Sequence, residues 1–431
     1  MASTLKGVIF LARDFVKGMA KVNNPQLDKL IKKLAEIEVM MACALQPTNV
    51  DEVKRRWLYL AKRNKFSEPM FVYDESTVSI QMWKERALSE LQAELRAMPP
   101  AQHAEEGVLR HLVQQCIKDK LNSLAFLRLF TEGDSAALRE AAIVSFGRPS
   151  HGRAAELEAW LRAESLRYES PCMEAEALLN LRLEAPQVQM CLEWALRQYG
   201  LADAYVVSKS EWARAISVAR FATEAKPGKI MIPATRSVNG VELLRAIGRV
   251  VECRILDAEN ARTVLHGMPS SDGVVSRGRA LTSDAELEEY FLGEVPTLRD
   301  AARLTIMADQ ALQGKSFGEI AQWADKSIRY DAGDLRNPLE TAWGLALRVM
   351  QGCRDGGNPY GYAFTKECQY YAGYTLVQDF EKPAWLACGL SLPEDQLTAL
   401  SGQFSLKPAD LPWENQGLIW DDNFREKLFV L

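Results

Sequence analysis

The sequence predicts an α+β protein that is predominantly helical. Apolar residues recur at helical spacing through most of residues 1–145. After residue 200 the pattern changes to three short runs rich in β-branched residues, at 204–207, 215–219 and 230–232. Turn residues separate these runs. A helix predicted over residues 241–260 follows the last run directly. Short strands that lead into a long helix, inside a helical shell, are typical of α+β folds.

Two lobes, or one body with a large helical extension, are expected because 431 residues exceed one compact core of ordinary size. Leu27, Leu30, Ile31 and Leu34 illustrate the helical spacing of the first unit. Turn residues at 146–150 end this helical run. The sequence therefore predicts an N-terminal helical region over residues 1–150 and an α+β body over residues 151–431. Asn239 or Ser237 is the expected N-cap of the helix behind the strands.

Composition and charge exclude several classes of protein. Apolar residues make up 48% of the chain and charged residues 25%, and the net charge is −5, so the basic footprint of a nucleic-acid-binding protein is absent. No apolar run is long enough to span a bilayer. The apolar stretch at 7–12 is followed at once by charged residues, without a cleavage site. We expect a cytoplasmic protein with no nucleic-acid or membrane partner, whose oligomeric state the sequence leaves unknown.

Cysteine and histidine usage limits the metal sites that the chain can build. Eight cysteines are scattered without a CxxC pair, which indicates reduced thiols in a cytosolic protein. The chain has four histidines. They are His103, His111, His151 and His266.

Several segments follow one another in an order known from one protein family. They are FGRP at 146–149, ALQGKSFGEI at 311–320, LRVMQG at 347–352 and GYAFTKECQYYAGY at 361–374. In these segments, from about residue 60 to the C-terminus, the chain resembles the flavohaemoglobin-expression-modulating QEGLA-motif family, which includes the microtubule-associated tyrosine carboxypeptidases. The resemblance implies a zincin-like metallopeptidase body with a small antiparallel sheet and a zinc helix of the form HExxxH.

The helix that corresponds to the zinc helix carries no zinc ligand at the family's positions. Residues 249–254 read RVVECR, and the AEN tail at 258–260 sets the register. Arg249 and Arg254 then occupy the two histidine positions, and Val250 occupies the position of the catalytic glutamate. A shifted register supplies no histidine either. The family's third ligand corresponds to a position near Asp284 or Glu286, between which the sequence does not decide.

Residue chemistry opposes zinc at this helix. Arginine stays protonated and has no lone pair to give a metal, and two guanidinium groups repel a dication. A valine cannot take a proton from water. The set Glu252, Cys253, Glu259 and His266 has a spacing that matches no known metal site. We therefore expect no metal and no other cofactor.

The resemblance implies that the substrate side of the cleft is retained. Arg348, Thr365, Lys366 and Tyr370 would line the pocket that receives the end of a peptide. Arginine, lysine and tyrosine are suited to a terminal carboxylate, which accepts charge-assisted hydrogen bonds. The alternative is that Lys366 forms a surface pair with Glu367, and that these positions serve packing. For Ser316 a helix cap, followed by a core Phe317, is the favoured interpretation.

Arg249 and Arg254 are five residues apart, and we expect them to lie on roughly the same face of their helix. In the favoured interpretation they pair with Glu252, Asp257 or Asp284 and fill the former metal site. In the other they form an anion site for a carboxylate or a phosphate.

Three functions remain open at this point. The first is a pseudo-peptidase that binds a peptide tail or an acidic partner without cutting it. The second is a metal-independent enzyme, repurposed from the peptidase fold, that acts on a small anionic or peptide substrate. The third and least favoured is an active zinc carboxypeptidase. Whether the protein is an enzyme is thus undecided by the sequence, but zinc peptidase activity is expected to be lost.

Overall fold

The computed structural model describes residues 24–39, 41–164, 173–211, 213, 215–223, 226–264, 274–331, 336–379, 418–422 and 425. Helices dominate these residues, and one small sheet accompanies them. This confirms the predicted α+β class with a predominance of helix.

From residue 24 to residue 146 the helices lie where the helical periodicity predicts them, and three further helices precede the sheet. They are α1 (Pro25–Ala35), α2 (Met41–Ala44), α3 (Val50–Ala61), α4 (Ser76–Arg96), α5 (Ala104–Glu132), α6 (Ser135–Phe146), α7 (His151–Glu164), α8 (Met173–Asn180) and α9 (Ala185–Gln198).

Further helices follow the sheet. They are α10 (Gly240–Ala246), a π-helix (Ile247–Ile255), α11 (Leu256–Val264), α12 (Val274–Leu292), α13 (Pro296–Leu312), α14 (Phe317–Arg329), α15 (Pro338–Val349), a 3₁₀ turn (Thr365–Glu367), α16 (Cys368–Asp379) and a second 3₁₀ turn (Leu418–Trp420).

Helix α1 shows how local sequence and packing agree in the N-terminal region. The side chain of Asn24 accepts a hydrogen bond from the Leu27 amide, and Pro25 takes the first helical position, where a missing N–H costs nothing. The four apolar residues of the predicted stripe are fully buried. They contribute to a core that includes residues of α4 and α5, so tertiary packing fixes the helix.

The N-terminal helices share a core with the C-terminal half of the chain. Trp57 lies 5.3 Å from Trp343 between ring centroids, and Phe71 lies 5.8 Å from Phe317. Ser316 caps α14 in a capping box with Glu319, as the sequence predicts, and Phe317 is buried behind it. The two predicted units are therefore joined by aromatic packing, and a boundary near residue 150 stays a prediction.

The sheet is mixed, which corrects the expected antiparallel sheet. Strands β1 (Tyr205–Ser210), β2 (Ser217–Arg220) and β3 (Gly228–Pro233) have the order β1-β3-β2. Strand β3 is central: it pairs parallel with β1 and antiparallel with β2. The three short runs predict the strands, but strand order depends on where each connection crosses, which their side-chain pattern does not encode.

The segment from Gly240 to Val264 packs against this sheet, as predicted for the helix behind the strands. The side chain of Asn239 accepts a hydrogen bond from the Glu242 amide at 2.8 Å and so caps the start of the segment. Val250 and Val251 lie in one cluster with Ile230 and Ile232 of β3. The sequence did not predict that nine residues in its middle form a π-helix.

No helix among the described residues is both long and apolar enough to cross a bilayer.

One testable consequence concerns the contact between α12 and α16. A Cβ atom added at Gly278 would lie 2.1 Å from the backbone of Gly373, whereas one at Gly344 of α15 would meet nothing within 4 Å. We expect Gly278→Ala to lower the free energy of unfolding by about 1–3 kcal/mol, because the helices must separate. The matched Gly344→Ala should raise it by roughly 0.5–1 kcal/mol, since alanine favours helix. Urea unfolding of both variants checks this, and equal midpoints would contradict the close contact.

Candidate functional site

The helices from Gly240 to Val264, with the π-helix in their middle, form one continuous segment, the π-helix segment. The candidate site lies where this segment packs against α12. Arg245, Arg249, Cys253 and Asp257 face this helix: the two arginines approach Asp284, Cys253 contacts the Arg279 carbonyl, and Asp257 pairs with Arg279. In an α-helix, residues four apart drift by about 40° per step, or about 120° over this stripe. The wider turn of the π-helix reduces this drift and keeps all four side chains toward α12.

A pocket of about 230 Å³ opens at the N-terminal end of this interface. Four arginines and three carboxylates line it, together with a tyrosine, a threonine and small or apolar residues. The full lining is Arg245, Arg249, Ala280, Leu281, Asp284, Glu288, Pro296, Thr297, Asp300, Ala301, Leu304, Arg336, Arg348 and Tyr370. With all groups ionised the lining is positive, so the pocket favours an anion.

Glu288 is a deeply buried carboxylate of the pocket. It is fully buried and pairs with Arg245 at 3.0 Å, while the Thr297 amide donates to it at 2.8 Å. Burial raises the pKa of Glu288 to about 7, although Arg245 opposes the shift. Near neutral pH this carboxyl group therefore holds a proton part of the time, which makes the pocket still more positive.

Asp284 lies between two arginines and hydrogen-bonds to neither. Its carboxylate is 3.8 Å from Arg245 Nε and 3.7 Å from Arg249 Nη1, beyond hydrogen-bond distance. Burial raises the pKa of Asp284, and the two guanidinium groups act against that rise. Both Asp284 Oδ1 and Arg245 Nε are buried without a hydrogen-bond partner among the described residues, a costly arrangement for polar atoms.

The arginines of the pocket differ in how far their donors are used. Arg336 binds Asp300 through two nitrogens, at 2.5 and 3.1 Å. Arg348 donates from Nε to Glu367 at 2.7 Å. Arg249 makes no hydrogen bond to any described residue, and its long ion pair with Asp284 leaves its donors available. Arg249 is thus the lining residue best placed to receive an anion.

Three of the residues predicted from the sequence come together in this pocket. Arg249, Arg348 and Tyr370 all line it. The guanidinium carbon of Arg348 lies 5.9 Å from the centre of the Tyr370 ring, and that of Arg277 lies 5.5 Å from it. Tyr370 is therefore held by two cation–π contacts.

Other predicted residues lie elsewhere. Arg254 lies with its guanidinium carbon 5.7 Å from the Phe221 ring, away from the face that carries Arg249. Thr365 is buried and donates to the Ala142 carbonyl at 3.1 Å. Lys366 lies over the Phe146 ring at 6.0 Å. The expectation that Arg249 and Arg254 share a face therefore fails, since Arg254 follows Cys253 around the helix and points to the sheet side.

Four charged residues of the pocket were not predicted from the sequence. They are Arg245, Glu288, Asp300 and Arg336. The spacing of charges in the sequence is a signal for Arg245 and Glu288. Arg245 lies four residues before Arg249 on one helix, and Glu288 lies four residues after Asp284 on another. Such complementary doublets indicate two facing helices.

The residues present do not fit a zinc ion. Val250 is buried in the core, and Glu252 accepts from the Tyr199 hydroxyl at 2.6 Å. Glu259 accepts from Tyr205 at 2.9 Å, and burial raises the pKa of Cys253 to about 12. Among the described residues no three His, Cys, Asp or Glu side chains form a cluster able to hold a metal. His266, the fourth residue of the set with Glu252, Cys253 and Glu259, lies outside the described residues.

No model of a known protein family matches the sequence, and no curated protein matches it as a relative. The family resemblance therefore rests on the segments quoted above.

The first prediction from the site concerns zinc. We expect the purified protein to hold no stoichiometric zinc, because in the register that the family resemblance implies arginines stand at the positions of the zinc ligands. Arg249→His with Arg254→His should not create a site, since the two side chains point in different directions. Elemental analysis of the wild type measures this. About one zinc per chain, with peptidase activity that a chelator removes, would contradict the prediction.

The second prediction concerns pH and stability. The folded-state pKa of Glu288 is about 7 against an ordinary value of 4.5, so between these values the folded protein binds more protons than the unfolded chain. Stability must then fall as the pH rises through this window, by on the order of 3 kcal/mol at most. Glu288→Gln should flatten this part of the profile.

The matched control is Glu286→Gln, which changes an exposed carboxylate of the same helix. It should leave the stability profile unchanged. Burial also raises the pKa of Asp257 to about 7, and the contribution of Asp257 to the profile should remain in both variants. Urea unfolding free energies at intervals from pH 4.5 to 8 provide the comparison. Identical slopes for wild type and Glu288→Gln would refute the assignment.

Proposed function

We propose that this chain is a catalytically degenerate, metallocarboxypeptidase-like protein with a zincin-like body. In this proposal it binds the carboxylate end of a peptide tail, or of an acidic partner, in the pocket between the π-helix and α12. Binding takes place without a metal and without hydrolysis.

The observation that carries the proposal is the position of Arg249. It stands at the first histidine position of the family's zinc helix, and its side chain enters the same pocket as Arg348 and Tyr370. A guanidinium fork with available donors matches a carboxylate in geometry and charge. An anion would then lie near the place where the family holds its metal, beside two of the residues implied to bind the end of a substrate, Arg348 and Tyr370.

The size of the pocket restricts what enters it. A volume of about 230 Å³ corresponds to roughly eight waters at about 30 Å³ each. It lies below the range of about 300–1,000 Å³ that encloses a drug-sized ligand. The pocket therefore suits the terminal unit of a ligand. The remainder of a peptide would lie outside it.

A second candidate is a metal-independent enzyme that acts on a small anionic or peptide substrate. The observation in its favour is Glu288, because a carboxyl group with a pKa of about 7 is suited to proton transfer at neutral pH. Its full burial and its contacts with Arg245 and Thr297 favour the binding role instead. Turnover that Glu288→Gln removes, while ligand binding persists, would favour the enzyme.

The test of the first candidate compares a short peptide with its C-terminal amide. We expect the free acid to bind more tightly by roughly ten- to hundredfold, because hydrogen bonds to a charged group contribute about 1.5–3 kcal/mol. Arg249→Ala should weaken binding of the acid by a similar factor and leave the amide unaffected. Isothermal titration calorimetry at neutral pH measures all four combinations.

Arg254→Ala is the matched control. It removes the same type of half-buried side chain from the same π-helix, but on the face toward Phe221. It should leave the preference for the acid intact. Equal binding of acid and amide to the wild type, or an equal loss in both variants, would show that Arg249 does not form a carboxylate site.

A further inference from the structure

Two residues that line the pocket, Arg245 and Asp284, have buried polar atoms close to each other without a hydrogen bond. Asp284 Oδ1 and Arg245 Nε are 3.8 Å apart, and neither has a partner among the described residues. Asp284 is almost completely buried. The first atom accepts hydrogen bonds and the second donates them, so a group that satisfies both must donate and accept.

A hydroxyl group meets this requirement. Its oxygen accepts from an N–H while its hydrogen is donated to a carboxylate. One oxygen at about 2.7–3.0 Å from each atom would span the 3.8 Å gap. Both atoms are buried, so the partly exposed Arg245 side chain has to shift to admit that oxygen. A methyl group would satisfy neither atom, and an ammonium group cannot accept from Arg245.

The charge of the pocket also opposes an ammonium group. Four arginines line the pocket with three carboxylates, and the burial that raises the pKa of Glu288 reduces the negative charge further. A neutral hydroxyl does not add to this positive charge. Arg249, with its available donors, is the neighbour that would receive the negative end of the same ligand.

We propose that the pocket selects a carboxylate that carries a hydroxyl group one or two carbons away, with the carboxylate on Arg249 and the hydroxyl between Arg245 and Asp284. This inference rests on the proposed function, because it specifies the terminal unit of the carboxylate ligand. The same chemistry comes from two sources. One is a small 2-hydroxy acid, and the other is a peptide tail that ends in serine.

The experiment uses the full-length wild-type protein and two sets of matched ligands. The first set is an acetylated glycyl-glycyl peptide that ends in serine, in alanine, or in serine amide. The second set is lactate, propionate and alanine, which differ in bearing a hydroxyl, a hydrogen or an ammonium group. Calorimetry measures the peptides, and ligand-observed NMR measures the small acids.

We expect the serine peptide to bind roughly tenfold or more tightly than the alanine peptide, since the hydroxyl hydrogen-bonds to charged groups. Lactate should likewise bind more tightly than propionate, and free alanine should bind most weakly of the three. A hydroxyl preference in one set alone identifies the source, and in both sets it supports the shared chemistry.

Two buried aspartates provide a matched pair of variants. Asp284→Ala should reduce the hydroxyl preference to near unity. Asp325→Ala should keep it, although Asp325 is also buried with one oxygen lacking a partner among the described residues and is paired with Arg329 on α14. The wild-type ligand series decides the inference even if Asp284→Ala does not fold.

The outcomes separate the two proposals. If acid peptides bind better than the amide but serine and alanine bind equally, the carboxylate site stands and the hydroxyl inference is overturned. If the hydroxyl preference survives in Asp284→Ala, the inference is also overturned. If neither acids nor amides bind, both proposals fail together.

Discussion

The contact between the π-helix segment and α12 is the interaction on which the site depends. Charged side chains are buried along it, with Arg245 against Glu288 at one end and Asp257 against Arg279 at the other. Breaking one partner of a buried ion pair leaves the other charge without compensation, which costs far more than losing a surface pair. The two helices are therefore held in one register, and that register determines which side chains reach the pocket.

The pocket collects more positive charge than its own carboxylates neutralise, and the surrounding protein makes this possible. Arg336 and Arg348 are held by carboxylates on two sides of the pocket, Asp300 and Glu367, which fixes their positions before any ligand arrives. Such preorganisation lowers the cost of binding, because the side chains are already ordered. Arg249 differs, since its donors are not used up by a neighbour.

Sequence reasoning located the helical class, the strands and the helix behind them, because each has a local periodic signal. It brought Arg249, Arg348 and Tyr370 to one place only through the family resemblance. It did not find Glu288 or Arg336, because the pocket joins side chains that lie up to 125 residues apart between Arg245 and Tyr370. Strand order and the π-helix were missed for a related reason: tertiary packing selects both, and no local residue pattern encodes them.

The π-helix has a consequence for how this chain tolerates changes in length. Nine residues with wider turns accommodate what an α-helix would treat as an extra residue. Deleting one residue there would allow ordinary α-helical winding to run through the whole segment. The deletion takes away about 100° of winding, which nearly cancels the drift of about 120° that an α-helix would accumulate from Arg245 to Asp257. Asp257 would therefore still face Arg279, so this helix tolerates the loss of one residue that would turn the later side chains of a regular α-helix away from their partners.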